Sequence, residues 1–186
     1  MNMVNKHIPN ILSFFRLILI APFIMTLYNG SYAIAFYILL TAGITDGFDG
    51  WLARQYNWQT PLGHMIDPLA DKLLVATSFI SLALLQQLPW WLVILVFARD
   101  LTIFFGALAW YYLISKTDEF VPTLLSKINT VLQIVLVNFS LGELAFFRLT
   151  YDPIPLLIFL TALTTAITFS DYVWTWGKKA CAIKRA

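Results

Sequence analysis

Residues 45–72 read TDGFDGWLARQYNWQTPLGHMIDPLADK, and four of the chain's ten acids, Asp46, Asp49, Asp67 and Asp71, lie inside this stretch. Asp46 and Asp49 are spaced i, i+3 and Asp67 and Asp71 i, i+4, which puts each pair on one face of its own helix. Asn57, Pro61 and Gly63 signal a loop between them that is short enough to make the two helices antiparallel neighbours. The spacing therefore predicts four carboxylates converging on one point. Like charges so placed repel, and protons or divalent cations must neutralise them. Hard oxygen donors with no histidine or cysteine cluster nearby favour magnesium, manganese or calcium over zinc. Two such ions, about 3.5–4 Å apart, clamp attacking and leaving oxygens in phosphoryl chemistry. Gly50 and Ala53, on the turn after the first pair, remove side-chain bulk where a substrate approaches the backbone. A purely structural reading makes the aspartates helix caps and partners of Arg54 and Lys72; it explains a single aspartate more readily than four at this spacing.

The rest of the chain is built for lipid. Of its 186 residues 60% are hydrophobic and 12% charged, with a mean hydropathy of +0.76, against about 25% charged in soluble domains. Apolar runs at 11–28, 32–45, 69–88, 90–114, 123–141 and 154–176 give six candidate spans, all but the second near the roughly 20 residues a bilayer crossing needs. The second is long enough only if its helix continues through the polar residues 46–54, as a helix end lining a wet cavity can. The expectation is an all-α integral membrane protein of six transmembrane helices, a single membrane domain over residues 1–186 with no separate soluble domain. Arg16 interrupts the first run and no small-x-small cleavage pattern follows, so it reads as a retained helix and not a signal peptide.

Six spans put both termini on one side. Placing them in the cytoplasm collects Lys6, Arg54, Lys116, Lys178, Lys179, Lys184 and Arg185 there and leaves only Arg148 outside, the orientation that the positive-inside rule selects. The polar cavity then opens at the cytoplasmic side. A net charge of +2 gives no reason to expect a nucleic-acid partner. Cys181 is the only cysteine, so no intrachain disulfide forms.

The pattern Asp46-x2-Asp49-Gly50-x2-Ala53-Arg54-x8-Gly63-x3-Asp67-x3-Asp71 resembles the complete signature of the CDP-alcohol phosphatidyltransferases. Pro9-Asn10-x-Leu12-Ser13-x-x-Arg16 entering the first helix is also similar to that family, and the likeness covers nearly the whole chain. It implies a multi-pass homodimer, in the cytoplasmic membrane if the source is bacterial, with two divalent ions, Mg2+ or Mn2+, in each protomer. It implies metal ligands at Asp46, Asp49 and Asp67, and an Asp71 that touches a metal and acts as general base on the acceptor hydroxyl. It places Gly50, Ala53, Arg54 and Gly63, together with Asp46, Asp49 and Asp67, around the CDP moiety of CDP-diacylglycerol.

The later half bears on the acceptor. Phosphatidylglycerophosphate synthases resemble one another in an Arg-Glu-Ile-x5-Arg stretch and a Gly-Lys-x-Lys-Thr stretch that hold the phosphomonoester of glycerol 3-phosphate. This chain keeps Arg99 and Lys127 but has Asp100, Ala107, Ser126 and Asn129 at the other positions. Two fewer cations suit a dianion poorly, because charge-assisted hydrogen bonds are the strong ones. Ala98-Arg99-Asp100, Pro122-Thr123-x2-Ser126-Lys127-x-Asn129-Thr130-x2-Gln133 and Phe159-x-Thr161-Ala162-x-Thr164-Thr165-Ala166 resemble the cardiolipin synthases of the family. The implied acceptor is phosphatidylglycerol, a monoanionic phosphodiester, held at Arg99, Lys127 and Asn129; glycerol 3-phosphate is the alternative.

Arg99 lies near mid-span, too deep for easy snorkelling, so a polar cavity explains it better than lipid does. Its competing reading is a pair with a neighbour on the same helix. Arg16 and Lys6 also read as interfacial anchors for anionic head groups. Trp90, Trp91, Trp174 and Trp176 fall at span ends and read as interfacial belts. His7 and His64 have no partner at metal spacing and read as surface or loop histidines. Membrane prenyltransferases also bind magnesium through aspartate pairs, but as larger bundles with the pairs on separate repeats. A membrane cation transporter would distribute intramembrane acids along a path, often in repeated halves, whereas here all four sit in one hairpin.

Overall fold

In the computed structural model, which describes residues 8–56, 61–113, 124–146 and 152–183, the chain is all helical. Six helices follow one another: α1 Ile8–Tyr28, α2 Tyr32–Tyr56, α3 Pro61–Leu84, α4 Trp90–Leu113, α5 Leu124–Ala145 and α6 Ile154–Ile183. All six expected runs are present, and α2 does continue through residues 46–54. Two boundaries differ from the sequence reading. Helix α3 opens eight residues early, at Pro61 instead of residue 69, because proline at the first helical position lacks only an N–H that has no intrahelical partner there. Gly63 and His64 are therefore helical and not part of the loop. Helix α6 runs past its apolar segment to Ile183, and Lys178 and Lys179 fall within this extension.

The breaks have local causes. After α1, Gly30 takes φ +72, the Ser31 N–H donates to the Thr26 carbonyl at 2.9 Å and the Gly30 N–H to Leu27 at 3.1 Å. This is the Schellman arrangement, in which a glycine adopts the left-handed conformation and turns the chain. After α3 the same pair of bonds runs from Gln87 to Leu82 and from Gln86 to Ala83, but an exposed Gln86 takes φ 60. A side chain there costs about 1 kcal/mol, small beside the burial of Leu82, Ala83 and Leu88 on either side.

Many large apolar side chains face outward, and a set of polar ones is buried. Phe14, Ile18, Met25, Tyr37, Ile94, Phe104, Phe159 and Ile167 stand exposed, while Arg16, Arg99, Asn129, Gln133, Ser140, Thr161 and Thr165 are buried. Large apolar groups on the outside are at home against acyl chains and costly against water. Among the described residues, Leu124–Ala145 and Ile154–Trp174 are long and apolar enough to cross a bilayer, and Phe14–Tyr28 and Tyr32–Gly47 form shorter apolar helices. Trp90 and Trp91 at the start of α4 and Trp174 at the end of the apolar segment of α6 are half to two-thirds exposed, in keeping with interfacial placement.

The helices form two compact units. The first comprises residues 1–87 and 137–152. In it α1 packs against both α2 and α3, around Phe23, Leu27, Leu39, Leu74 and Phe79. Ala35, Ala42 and Ala70 are fully buried, and small residues of this kind let helix backbones approach closely. Phe36 meets Phe146 edge to face at 5.3 Å. The second unit comprises residues 88–136 and 153–186, in which α4 packs on α6. Its seam with the first half of α5 is polar, because Asn129 accepts hydrogen bonds from the Thr164 and Thr165 hydroxyls at 2.8 and 2.9 Å.

Candidate active site

The chemistry-bearing part of the first unit begins with Arg16. An arginine in the ninth position of a 21-residue apolar helix, once buried, needs anionic partners or a polar cavity. Arg16 is 1% exposed and has such partners on two other helices. Its Nη2 donates to Asp46 Oδ1 of α2 at 2.8 Å, and its Nη1 donates to Asp71 Oδ1 of α3. The guanidinium fork suits this double role, since it presents several donors in a fixed plane. One carboxylate from each half of the acidic stretch thus meets at a single cation.

Both carboxylates remain reachable. Their side chains are 45% and 44% exposed while the arginine between them is buried. Asp46 and Asp71 share the one guanidinium of Arg16. Hard, half-exposed carboxylate oxygens fit a divalent ion such as Mg2+ or Mn2+. Among the described residues no three potential ligand side chains come together. The backbones of Asp49 and Asp67 lie in α2 and α3, one turn from Asp46 and Asp71 respectively. The side chains of Asp49, Ala53, Arg54 and Asp67, and the surroundings of Gly50 and Gly63, lie outside what the structure describes.

Arg16 is the residue whose place in the site the sequence reading left open. An interfacial anchor would be exposed at a helix end, whereas this side chain is buried on the acids. The available signal is its position: a lone cation within an apolar run, one helix away from a cluster of acids. Lys6 and His7 lie outside the described residues, as does the side chain of His64.

In the second unit Arg99 is 2% exposed. Its Nη1 donates to Asp100 at 2.7 Å and its Nη2 to the Ser126 hydroxyl of α5. The neighbour pair and the buried polar setting, competing readings of the sequence, are both present. Lys127 is exposed, and Asn129 is fully buried with its carbonyl on Thr164 and Thr165. Among the described residues, Arg99 Nε, Asn129 Nδ2, Gln133 Nε2 and Thr161 Oγ1 are buried without a hydrogen-bond partner. Buried donors in that state carry a desolvation cost of about 1–3 kcal/mol each unless water or a ligand meets them. Gln133 and Thr161 enter the sequence reading only as parts of longer matching stretches. Gln133 follows Asn129 at i+4 on α5 and Thr161 precedes Thr165 at i−4 on α6, spacings that keep each on its neighbour's helix face. The side chain of Ala107 lies outside the described residues. A groove along α6 lined by Ala166, Ile167, Ser170, Asp171 and Trp174 contains none of the candidate site residues.

A family model described as CDP-alcohol phosphatidyltransferase matches residues 6–176. A probable CMP-forming cardiolipin synthase of Drosophila melanogaster is 35% identical over 182 residues, 89% of this chain and 56% of the fly protein. A CMP-forming cardiolipin synthase of Homo sapiens is 30% identical over 191 residues, 95% of this chain and 63% of the human protein. A CDP-diacylglycerol–glycerol-3-phosphate 3-phosphatidyltransferase of Escherichia coli K12 is 35% identical over 136 residues, 69% of this chain and 73% of the bacterial protein. The chain thus spans little more than half the length of the fly and human relatives it matches.

Proposed function

The chain belongs to the CDP-alcohol phosphatidyltransferase family, and from that premise we propose that it transfers the phosphatidyl group of CDP-diacylglycerol to phosphatidylglycerol, forming cardiolipin and releasing CMP. One observation carries the reaction class: the carboxylates of Asp46 and Asp71, from two helices, meet at one cation and stay accessible. In this reading Asp46, Asp49, Asp67 and Asp71 hold two divalent ions. When bound, such ions supply positive charge to the transferring phosphate and the departing diphosphate oxygen. The chain's own residues then orient the reactants and move one proton. Asp71 accepts the proton of the acceptor hydroxyl as that oxygen bonds to the phosphatidyl phosphorus. The bond from this phosphorus to the oxygen of CMP breaks, and CMP leaves with the electron pair. Gly50, Ala53, Arg54 and Gly63 lie against the CDP moiety and fix its orientation.

For the acceptor, support comes from the number of cations. Arg99 and Lys127 suit the single charge of a phosphodiester, and the partnerless donors of Asn129 and Gln133 suit glycerol hydroxyls and ester oxygens. Glycerol 3-phosphate is the second reading, favoured by the likeness to the bacterial glycerol-3-phosphate enzyme. Phosphatidylglycerol is expected to be used at least tenfold more efficiently than glycerol 3-phosphate, as judged by kcat/KM from product analysis. The double variant Asn129→Lys, Ala107→Arg should narrow that ratio by restoring the cations a dianion needs. Rapid formation of phosphatidylglycerophosphate with no cardiolipin would overturn the assignment.

The proposal includes six membrane spans in one domain, a homodimer, and both termini in the cytoplasm. Cys181, the only cysteine, reports the last point. A membrane-impermeant thiol reagent should leave it unlabelled in intact cells and label it in opened ones; labelling in intact cells would contradict the orientation.

A further inference from the structure

We propose that Arg16 is a built-in counter-ion that competes with divalent cations for Asp46 and Asp71, so that the ions load by displacing its guanidinium from the two carboxylates. The proposal rests on the two-ion reading above and extends it to a residue on a helix outside the acidic stretch. Arg16 is 1% exposed, yet its two terminal nitrogens reach Oδ1 of Asp46 on α2 and Oδ1 of Asp71 on α3. Each engaged oxygen belongs to a carboxylate that, in the two-ion reading, would hold a metal ion. A guanidinium and a divalent ion on the same carboxylates repel, and that repulsion is large even at the effective dielectric of about 20 that suits protein sites. Arg16 cannot relieve it by losing its charge, since guanidinium stays protonated in proteins. Nor can it retreat cheaply toward the lipid-facing side of α1, where Phe14, Phe15 and Ile18 are exposed.

Two consequences follow. Arg16 holds α1, α2 and α3 together through the acids when no other cation neutralises them. It also weakens the ions' hold, so that they bind tightly only when a further negative charge, the diphosphate of the substrate, shares the positive field. Arg16 is a positioning residue in this account and touches neither phosphorus nor acceptor.

The test uses the full chain purified in detergent, with Mn2+ as the probe and no lipid substrate. Mn2+ affinity is read by electron paramagnetic resonance, and thermal stability is followed with and without the ion. Arg16→Gln should bind Mn2+ at least tenfold more tightly than the parent, melt lower without ions, and recover most of that deficit when Mn2+ is added. CDP should tighten Mn2+ binding in the parent by a larger factor than in the variant. Arg16→Lys keeps the charge but loses the double fork, and should bind Mn2+ a few-fold more tightly than the parent; it decides the matter if the Gln variant does not fold. A parent that binds Mn2+ with variants that bind it equally or more weakly would overturn the counter-ion role alone. A parent that binds no Mn2+ in either the presence or absence of CDP would overturn the two-ion reading and this inference with it.

Discussion

Replacing Asp71 by Asn will lower turnover by about 10³-fold while leaving CDP-diacylglycerol binding within a few-fold of the parent, as expected when a positioned general base is lost. The carboxamide keeps the shape of the side chain and an oxygen that can still accept from Arg16 Nη1, so the contact between α1 and α3 survives. What disappears is the ability to take a proton from the acceptor hydroxyl. Single-turnover rates and equilibrium binding of CDP-diacylglycerol separate the two effects. Activity within tenfold of the parent would rule out the base role, and binding lost together with activity would make Asp71 chiefly a metal ligand.

Asp46→Asn is expected to act differently. It should raise the Mn2+ concentration needed for half-maximal activity at least tenfold and lower the saturated rate by about 10²-fold, in the range seen when electrostatic stabilisation of a developing charge is removed. Asp67→Asn should behave the same way. The contrast with Asp71→Asn is the informative part, because more Mn2+ partly rescues a weakened ligand and cannot rescue a missing base. Unchanged metal dependence in both variants would sink the two-ion model.

The helices were legible because the physics that sets them is local. Runs of apolar residues near bilayer length, separated by Asn29-Gly30-Ser31 and Gln86-Gln87-Leu88-Pro89, mark spans and breaks without reference to anything distant. The continuation of α2 through residues 46–54 was legible for a less direct reason: a polar helix end is acceptable only where it faces something wet, and the acids there require it. The start of α3 was misplaced because Pro61, Gly63 and His64 carry turn chemistry, although proline at a first helical position is also a helix starter. Arg16 shows what one dimension hides. Its partners lie 30 and 55 residues away on other helices, and an arginine in an apolar run fits a lipid anchor, a structural pair or a site residue equally well. The pairing of Asn129 with Thr164 and Thr165 is long-range too. Both threonine hydroxyls also lie within bonding distance of carbonyls on their own helix, Thr164 of Leu160 and Thr165 of Thr161, so the sequence pattern alone reads as ordinary helix.

The most direct test of phosphatidyl transfer is to incubate the purified chain with CDP-diacylglycerol and Mn2+ or Mg2+, offer phosphatidylglycerol and glycerol 3-phosphate in separate reactions, and identify the lipid product and the nucleotide by mass spectrometry. The account predicts cardiolipin and CMP in equal amounts with phosphatidylglycerol, dependent on the divalent ion. CDP-diacylglycerol recovered intact from both reactions, with the ion present and the protein folded, would contradict it.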